Sequence, residues 1–290
     1  MKKIIAAAVA TAFVAPAFAA DITVSGVGEA IIIDSAGVTS TQIDQNVTIA
    51  ASTEMANGMT IATDINIGAD ASTETGIFNE GGNSVTISGA FGKVDIGDTS
   101  GAVDAIDDTT ETAKELGQGT DGDDATILWT LPSLAEGLTV MVSMSTDESA
   151  VDATTSGLGA AAGAAVKYSA SGLTIGYASN QYDTNIEEQI YNVSYSMSGI
   201  KVGLETLKDT TAAGLETKQK AYGASYTSGD LMIGAETQEI IGSDGATDNE
   251  FTIYTLQYSL GGGVTAYIET SDDAKTGNSE QTAAGIEFKF

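Results

Sequence analysis

The side chains most able to do chemistry in this sequence are carboxylates, because forty Asp and Glu residues oppose eleven basic residues. All eleven basic residues are lysine, and the sequence contains no histidine, cysteine or arginine. Ser-His-Asp and Cys-His mechanisms are therefore excluded, as are zinc sites built from His or Cys. A glycosidase-type pair needs only two carboxylates, but nothing distinguishes one pair from the rest. The sequence predicts no enzyme activity.

Metal and nucleic-acid binding also find little support. Asp121-Gly122-Asp123-Asp124 looks like the start of a calcium loop, but the twelve-residue pattern lacks its closing Glu. No cofactor and no specific metal site are predicted, although divalent cations can bridge acidic loops non-specifically. The formal charge of -29 repels phosphate backbones and attracts cations, which argues against nucleic acid as a partner. A solvated acidic surface explains the same charge.

The first nineteen residues have the pattern of an export signal. Lys2 and Lys3 precede an apolar run over 4–14 and the small-residue motif Ala17-Phe18-Ala19. The run is shorter than the roughly 18 to 20 residues that a spanning helix needs. We therefore predict a cleaved signal peptide over 1–19 and one domain over 20–290, whose formal charge is -31 without the two lysines.

The remaining chain alternates apolar with small or polar residues in segments of about ten, the period of a strand with two different faces. In the segment MTIATDINIG (59–68), Met59, Ile61, Ile65 and Ile67 share one side. LTVMVSM (138–144) and YNVSYSM (191–197) repeat the pattern. No comparable stretch keeps a helical period.

Two kinds of connection alternate between these segments. Seven are short and contain glycine: Asn57-Gly58, Gly92-Lys93, 132–137, Ser171-Gly172, Ser198-Gly199, 228–230 and 261–263. Eight are longer and polar, near 34–41, 69–83, 98–125, 146–161, 180–188, 207–219, 238–250 and 271–280. Fifteen connections require sixteen strands, an even number as in bacterial outer-membrane barrels. The predicted fold is an all-β, sixteen-stranded antiparallel up-and-down barrel.

The two faces of the predicted strands differ as the lipid and water sides of such a barrel should. Eight tyrosines are in phase with the apolar residues, near strand ends: Tyr168, Tyr177, Tyr191, Tyr195, Tyr222, Tyr226, Tyr254 and Tyr258. The opposite phase carries polar groups: Asp64, Asn66, Lys167, Asn192, Ser194, Lys201, Glu205, Glu269 and Glu287. A tyrosine girdle facing lipid is predicted, with ordinary core tyrosines as the alternative.

The last segment, AAGIEFKF (283–290), alternates apolar with small or charged residues and ends on an aromatic residue, Phe290. It resembles the last strand of the Gram-negative bacterial porins. GAFGKVDIGDTSGAVD (89–104) resembles the family's exit into its third loop, and TILWTLPSLAEGLTVMVSM (126–144) resembles the hairpin that follows. The resemblance implies an outer-membrane location, outer-membrane lipid around the barrel, a homotrimer, and Phe290 as the signal to the assembly machinery.

The resemblance also implies that the loop over 98–125 folds into the barrel and narrows a pore. Its carboxylates are the candidate constriction residues: Asp104, Asp107, Asp108, Glu111 and Glu115. Porins of this type usually face that loop with arginines on the barrel wall, and this chain has none. By alternation the wall instead presents Glu29, Asp64 and Asp95, while Asp98 stands where the family often has a basic residue. Carboxylates around a pore favour cations.

The function that these expectations imply is passive diffusion of ions and small hydrophilic solutes, with a preference for cations. A substrate-selective channel is the alternative within transport. A structural or adhesive surface barrel with a blocked lumen, or a soluble secreted β-protein, would be a different class. The acidic loop over 98–125 is also explained as an ordinary solvated surface loop.

Overall fold

The chain forms sixteen antiparallel strands that close into one barrel, as seen in a computed structural model that describes residues 21–70, 79–106, 112–114, 116, 124–145, 161–182, 186–211, 213–243, 247–273 and 280–290. The strands are β1 (Asp21–Ser35), β2 (Val38–Glu54), β3 (Thr60–Asp70), β4 (Asn79–Gly89), β5 (Gly92–Ser100), β6 (Asp124–Thr130), β7 (Leu138–Ser145), β8 (Ala161–Ala170), β9 (Leu173–Tyr182), β10 (Glu187–Met197), β11 (Ile200–Thr210), β12 (Glu216–Ser228), β13 (Leu231–Ile241), β14 (Thr247–Gly261), β15 (Val264–Asp273) and β16 (Gln281–Lys289). The predicted fold class and strand number are confirmed. Within the described residues, no helix is long and apolar enough to cross a membrane.

The seam between β1 and β16 closes the barrel, so that each of the sixteen strands pairs with a neighbour on both sides. Gly26 and Phe290 exchange two backbone hydrogen bonds of 3.0 and 3.1 Å. The rings of Phe288 and Phe290 lie against Gly28 and Gly26, where an added Cβ would come within 2.2 and 2.5 Å of ring carbons. Glycine on β1 therefore makes room for the terminal aromatic side chains.

Tight turns join the strands at one end of the barrel. Ser171 and Ser198 have φ values of 51° and 52°, and the glycine after each has a φ of 84°. Two left-handed central residues define the turn whose twist matches that of the flanking strands, and glycine tolerates this conformation best. These Ser-Gly pairs are turns, as predicted.

Strands run four residues into each end of the loops predicted at 207–219 and 238–250, and two further connections differ more clearly from the sequence prediction. The first polar stretch, expected as a loop over 34–41, is a two-residue turn at Ala36 and Gly37, whose φ values are 56° and 77°. Hydrophobic alternation fades there, but the polar residues still pair in the ladder between β1 and β2. The turn expected at Gly92-Lys93 lies at 90–91, and Gly92 begins β5.

Strand alternation separates an apolar outer face from a polar inner face. All eight tyrosines of the predicted girdle are exposed, whereas Tyr182 and Tyr267, on the opposite phase of their strands, are buried. Asn192, Ser194 and Glu205 are buried on the inner side. The predicted assignment of faces is confirmed.

The hydrophobic core lies inside the barrel and includes part of the connection between β5 and β6. Ala102, Val103 and Ile106 from that connection are at most 1% exposed. They pack against inward-facing residues of β6–β11: Leu128, Met141, Ala165, Ala178, Ile190 and Leu207. This long connection, residues 101–123, is called the third loop below.

Candidate functional site

The third loop enters the barrel through a short 3-10 helix, Asp104–Ile106. Before the helix, the Ala102 N–H donates to the Ser143 hydroxyl on β7 at 2.9 Å. At its end, the Asn192 side-chain amide on β10 donates to the Ile106 carbonyl. Apolar packing and two polar contacts therefore fix the loop entrance against the inner wall.

A second part of the loop lies against β13 and β14. The Thr112 N–H donates to Oε2 of Glu236 at 2.8 Å. The Thr112 carbonyl accepts from Nε2 of Gln257 at 3.0 Å. Both backbone groups of Thr112 are satisfied by the wall, which holds this segment across the lumen from its entry point.

A third part binds β15 and β16. Glu269 accepts from the N–H of Lys114 at 2.5 Å and from the N–H of Leu116 at 3.0 Å. The Lys114 ammonium lies 2.8 Å from Oε1 of Glu287 and 6.0 Å from the centre of the Tyr267 ring. Glu269 thus binds two backbone N–H groups of the loop, and Glu287 on the next strand binds the side chain of Lys114.

Glu236 and Glu269 are each 1% exposed, so their carboxylates have been taken out of water. Burying such a group is costly unless hydrogen bonds compensate, and N–H donors to a carboxylate give bonds of about 1.5–3 kcal/mol each. The compensating donors described here are largely loop backbone. These two residues therefore act as anchors of the third loop.

The wall formed by β1–β5 carries its carboxylates differently. Glu29 on β1 pairs in register with Asp44 on β2 and Glu287 on β16, so three carboxylates share one side of adjacent strands. Asp64 on β3 accepts from the Ser84 hydroxyl at 2.6 Å. Glu29, Asp44 and Asp64 are partly buried, and one carboxylate oxygen of Glu29 and one of Asp44 are inaccessible to solvent.

Asp95 and Asp98 both lie on β5. Asp95 is buried, accepts from the Thr86 hydroxyl at 2.6 Å, and lies 2.8 Å from the Lys93 ammonium. The backbone of Asp98 belongs to the strand just before the third loop. The wall residues predicted by alternation thus lie on β1, β3 and β5, three alternate strands of one part of the barrel.

The predicted constriction carboxylates are described only in part. Asp104 begins the 3-10 helix and is partly buried inside the barrel. The other four predicted loop carboxylates lie outside the described residues: Asp107, Asp108, Glu111 and Glu115. In the described ranges, no three side chains of the His, Cys, Asp or Glu type are arranged so that they could hold a metal ion together.

Sequence reasoning missed the anchoring role of the wall. Alternation along β13 would have placed Glu236 on the inner face with Gln238. It could not identify Thr112 as the partner, because the two residues are 124 positions apart. Glu269 was assigned to the inner face, but as a group facing water rather than loop backbone.

A closed sixteen-stranded barrel with an apolar exterior, a polar interior and an in-folded loop defines a channel protein that spans a membrane. A sequence profile described as Gram-negative porin matches residues 6–278. The chain belongs to the Gram-negative porin family, whose barrels lie in the outer membrane.

Solved structures show the same fold at low sequence identity. A substituted form of the Rhodopseudomonas blastica porin is 16% identical, covers 93% of this chain and 100% of its own, and has a TM-score of 0.74. OmpF of Salmonella typhi, in a complex with daunomycin, is 12% identical over 93% and 97% of the two chains, with a TM-score of 0.77. No curated protein sequence matches the chain.

Proposed function

We propose that this porin is a passive, water-filled channel for ions and small hydrophilic solutes, and that it prefers cations. The observation that carries the proposal is the charge of the wall β1–β5, where Glu29, Asp44, Asp64 and Asp95 face inward. The only lysine on these strands is Lys93, and it pairs with Asp95. Carboxylates along the permeation path raise local cation concentration and repel anions.

The test is the reversal potential of single channels in a planar bilayer under a potassium chloride gradient. Protein extracted from outer membranes should conduct, with the sign of a cation-preferring pore. A reversal potential of anion-preferring sign would contradict the proposed selectivity. Absence of conductance from folded barrels would contradict the channel itself and favour a structural barrel with a blocked lumen.

We propose further that the barrel is a homotrimer whose subunits meet through the outer face of β1–β5. The sequence between Asp21 and Asp70 contains no aromatic residue, although Ile22, Ile43 and Ile65 are at least 48% exposed there. Interfacial aromatics mark the lipid-facing surface of these barrels. An apolar face without aromatic residues fits contact with another subunit better than contact with lipid. The number of subunits, three, is taken from the family resemblance.

Two proposals concern biogenesis. Residues 1–19 act as a cleaved signal peptide, which N-terminal sequencing of the outer-membrane form tests. Phe290 acts as the assembly signal read by the outer-membrane insertion machinery, which is consistent with its exposed ring at the β1–β16 seam. Phe290→Ser should lower the yield of inserted barrel, whereas Phe91→Ser in a turn should not.

We propose no cofactor and no enzyme activity for this channel. Divalent cations bind the acidic loops only non-specifically, since hard cations prefer carboxylate oxygens. Isothermal titration with calcium and magnesium should therefore give weak, similar affinities. A tight, calcium-selective site would contradict this proposal.

A further inference from the structure

The barrel wall binds Thr112, in the middle of the third loop, at both of its backbone groups. Its N–H and its carbonyl both bond to wall side chains, Glu236 and Gln257, and the residue is 6% exposed. Glu236 lies two positions after Gly234 on β13, so both residues face inward. The part of the wall against which Thr112 lies therefore includes the backbone of Gly234.

The absence of a side chain at Gly234 determines how closely Thr112 approaches the wall. A Cβ added to Gly234 would lie 2.8 Å from Cβ of Thr112 and 3.0 Å from the Cγ2 methyl of Thr255. Ordinary van der Waals contact begins at 3.4 Å, so the loop or the wall would have to yield by about half an ångström. Gly234 does not have a left-handed φ, so alanine causes no backbone strain there.

We propose that Gly234 is a positioning residue for the pore. Because it has no side chain, Thr112 can lie close to the wall, and this position of the loop sets the free cross-section of the channel. Gly234 itself does not contact the permeant solute. The inference rests on the proposed channel function. A side chain at position 234 pushes the loop toward the lumen, because β13 is held in place by backbone hydrogen bonds to the strands on both of its sides. The lumen becomes narrower as a result.

A similar arrangement exists at the loop entrance. A Cβ on Gly163 would lie 3.2 Å from Cβ of Ala102, but it would also lie 2.5 Å from the Ser143 hydroxyl. Because Ser143 itself holds the loop, a substitution of Gly163 would disturb two contacts at once. A substitution of Gly234 is therefore easier to interpret than a substitution of Gly163.

The experiment compares single-channel conductance in four full-length proteins: wild type, Gly234→Ala, Thr112→Gly, and the double variant. Gly234→Ala should lose conductance. In the double variant the Cβ has moved from loop to wall, so conductance should return toward the value of Thr112→Gly, a non-additive result that indicates direct contact. Gly89→Ala is the matched control, since the atoms nearest to its Cβ would belong to Phe91 and Met59, at 3.2 Å or more, and its conductance should equal that of the wild type.

Unchanged conductance in Gly234→Ala would overturn the inference while the wild type still conducts, so the proposed channel function would survive. A loss of conductance that Thr112→Gly does not relieve would overturn it too, because the effect would not pass through this contact. Heat-modifiable migration of each variant checks that the barrel is folded. If Gly234→Ala alone fails to fold, the double variant with Thr112→Gly is compared with Thr112→Gly alone, and a double variant that also fails to fold or stays well below the conductance of Thr112→Gly would overturn the inference.

Discussion

The two walls of the lumen use the same chemical group for different purposes. On the wall that the third loop covers, β6–β16, the carboxylates of Glu236 and Glu269 are buried and accept loop N–H groups. On the wall formed by β1–β5, Glu29 and Asp64 are only partly buried. A carboxylate that anchors backbone contributes mainly to the shape of the pore, whereas one that faces water contributes mainly to its electrostatic field.

The outer surfaces of the same two walls differ as well. Exposed tyrosines occur along the covered wall, from Tyr168 on β8 to Tyr258 on β14. The wall formed by β1–β5 is aliphatic outside, with Ile43 and Ile65 among its exposed residues. One side of the barrel thus has the features of a lipid-facing wall, and the other has those proposed for the subunit interface.

The largest effect is expected from removing an anchor on the covered wall. Glu269→Ala leaves the N–H groups of Lys114 and Leu116 without their partner, at about 1–3 kcal/mol for each donor left buried. We expect this end of the loop to leave the wall and conductance to become noisy. Single-channel recording measures this, with the outward-facing Glu239→Ala as control. A quiet, wild-type current would show that Glu269 is not an anchor.

A charge reversal on the inner face of β1–β5 should change selectivity more than conductance. Glu29→Gln should move the reversal potential toward zero, and Glu29→Lys should move it further in the same direction, because local cation concentration follows the wall charge. Glu239→Lys makes the same change on the outer face and should have little effect. Equal shifts from positions 29 and 239 would contradict the difference between the two faces.

A smaller effect is expected from bulk added to the outer faces. Ile65 on β3 and Ile268 on β15 are both 48% exposed, which makes them a matched pair. Ile65→Trp should weaken the trimer, while Ile268→Trp should be tolerated where lipid adapts to the ring. Unheated gel electrophoresis separates trimer from monomer. Loss of the trimer in both variants or in neither would contradict an interface at β1–β5.

The smallest effect is expected at Lys114. Lys114→Met removes the contact with Glu287, but Lys289 still lies 3.2 Å from that carboxylate. Partly exposed ion pairs contribute about 0–1 kcal/mol. The backbone bond from residue 114 to Glu269 remains, so conductance and the heat-modification temperature should barely change. A change as large as that of Glu269→Ala would show that the side chain holds the loop.

The strand pattern was predictable because alternation and turn residues are local signals. The turns at Ser171-Gly172 and Ser198-Gly199 need two left-handed residues, and the sequence places glycine in each. The extent of β1 and β2 was not predictable, because polar residues beyond the apolar pattern still pair.

The anchoring of the third loop could not be predicted either. Glu236 and Thr112 are 124 residues apart, and Lys114 and Glu269 are 155 apart. Alternation assigns a side chain to a face, but it does not say whether water or another part of the chain lies in front of it. That distinction required the folded loop.

The most direct test of the account measures conductance and reversal potential together in Glu269→Ala and Glu29→Lys, each beside the wild type. The account predicts that Glu269→Ala alters mainly the conductance and its noise, and that Glu29→Lys alters mainly the reversal potential. Variants that changed both quantities to the same extent would contradict a division of the lumen into an anchoring wall and a selecting wall.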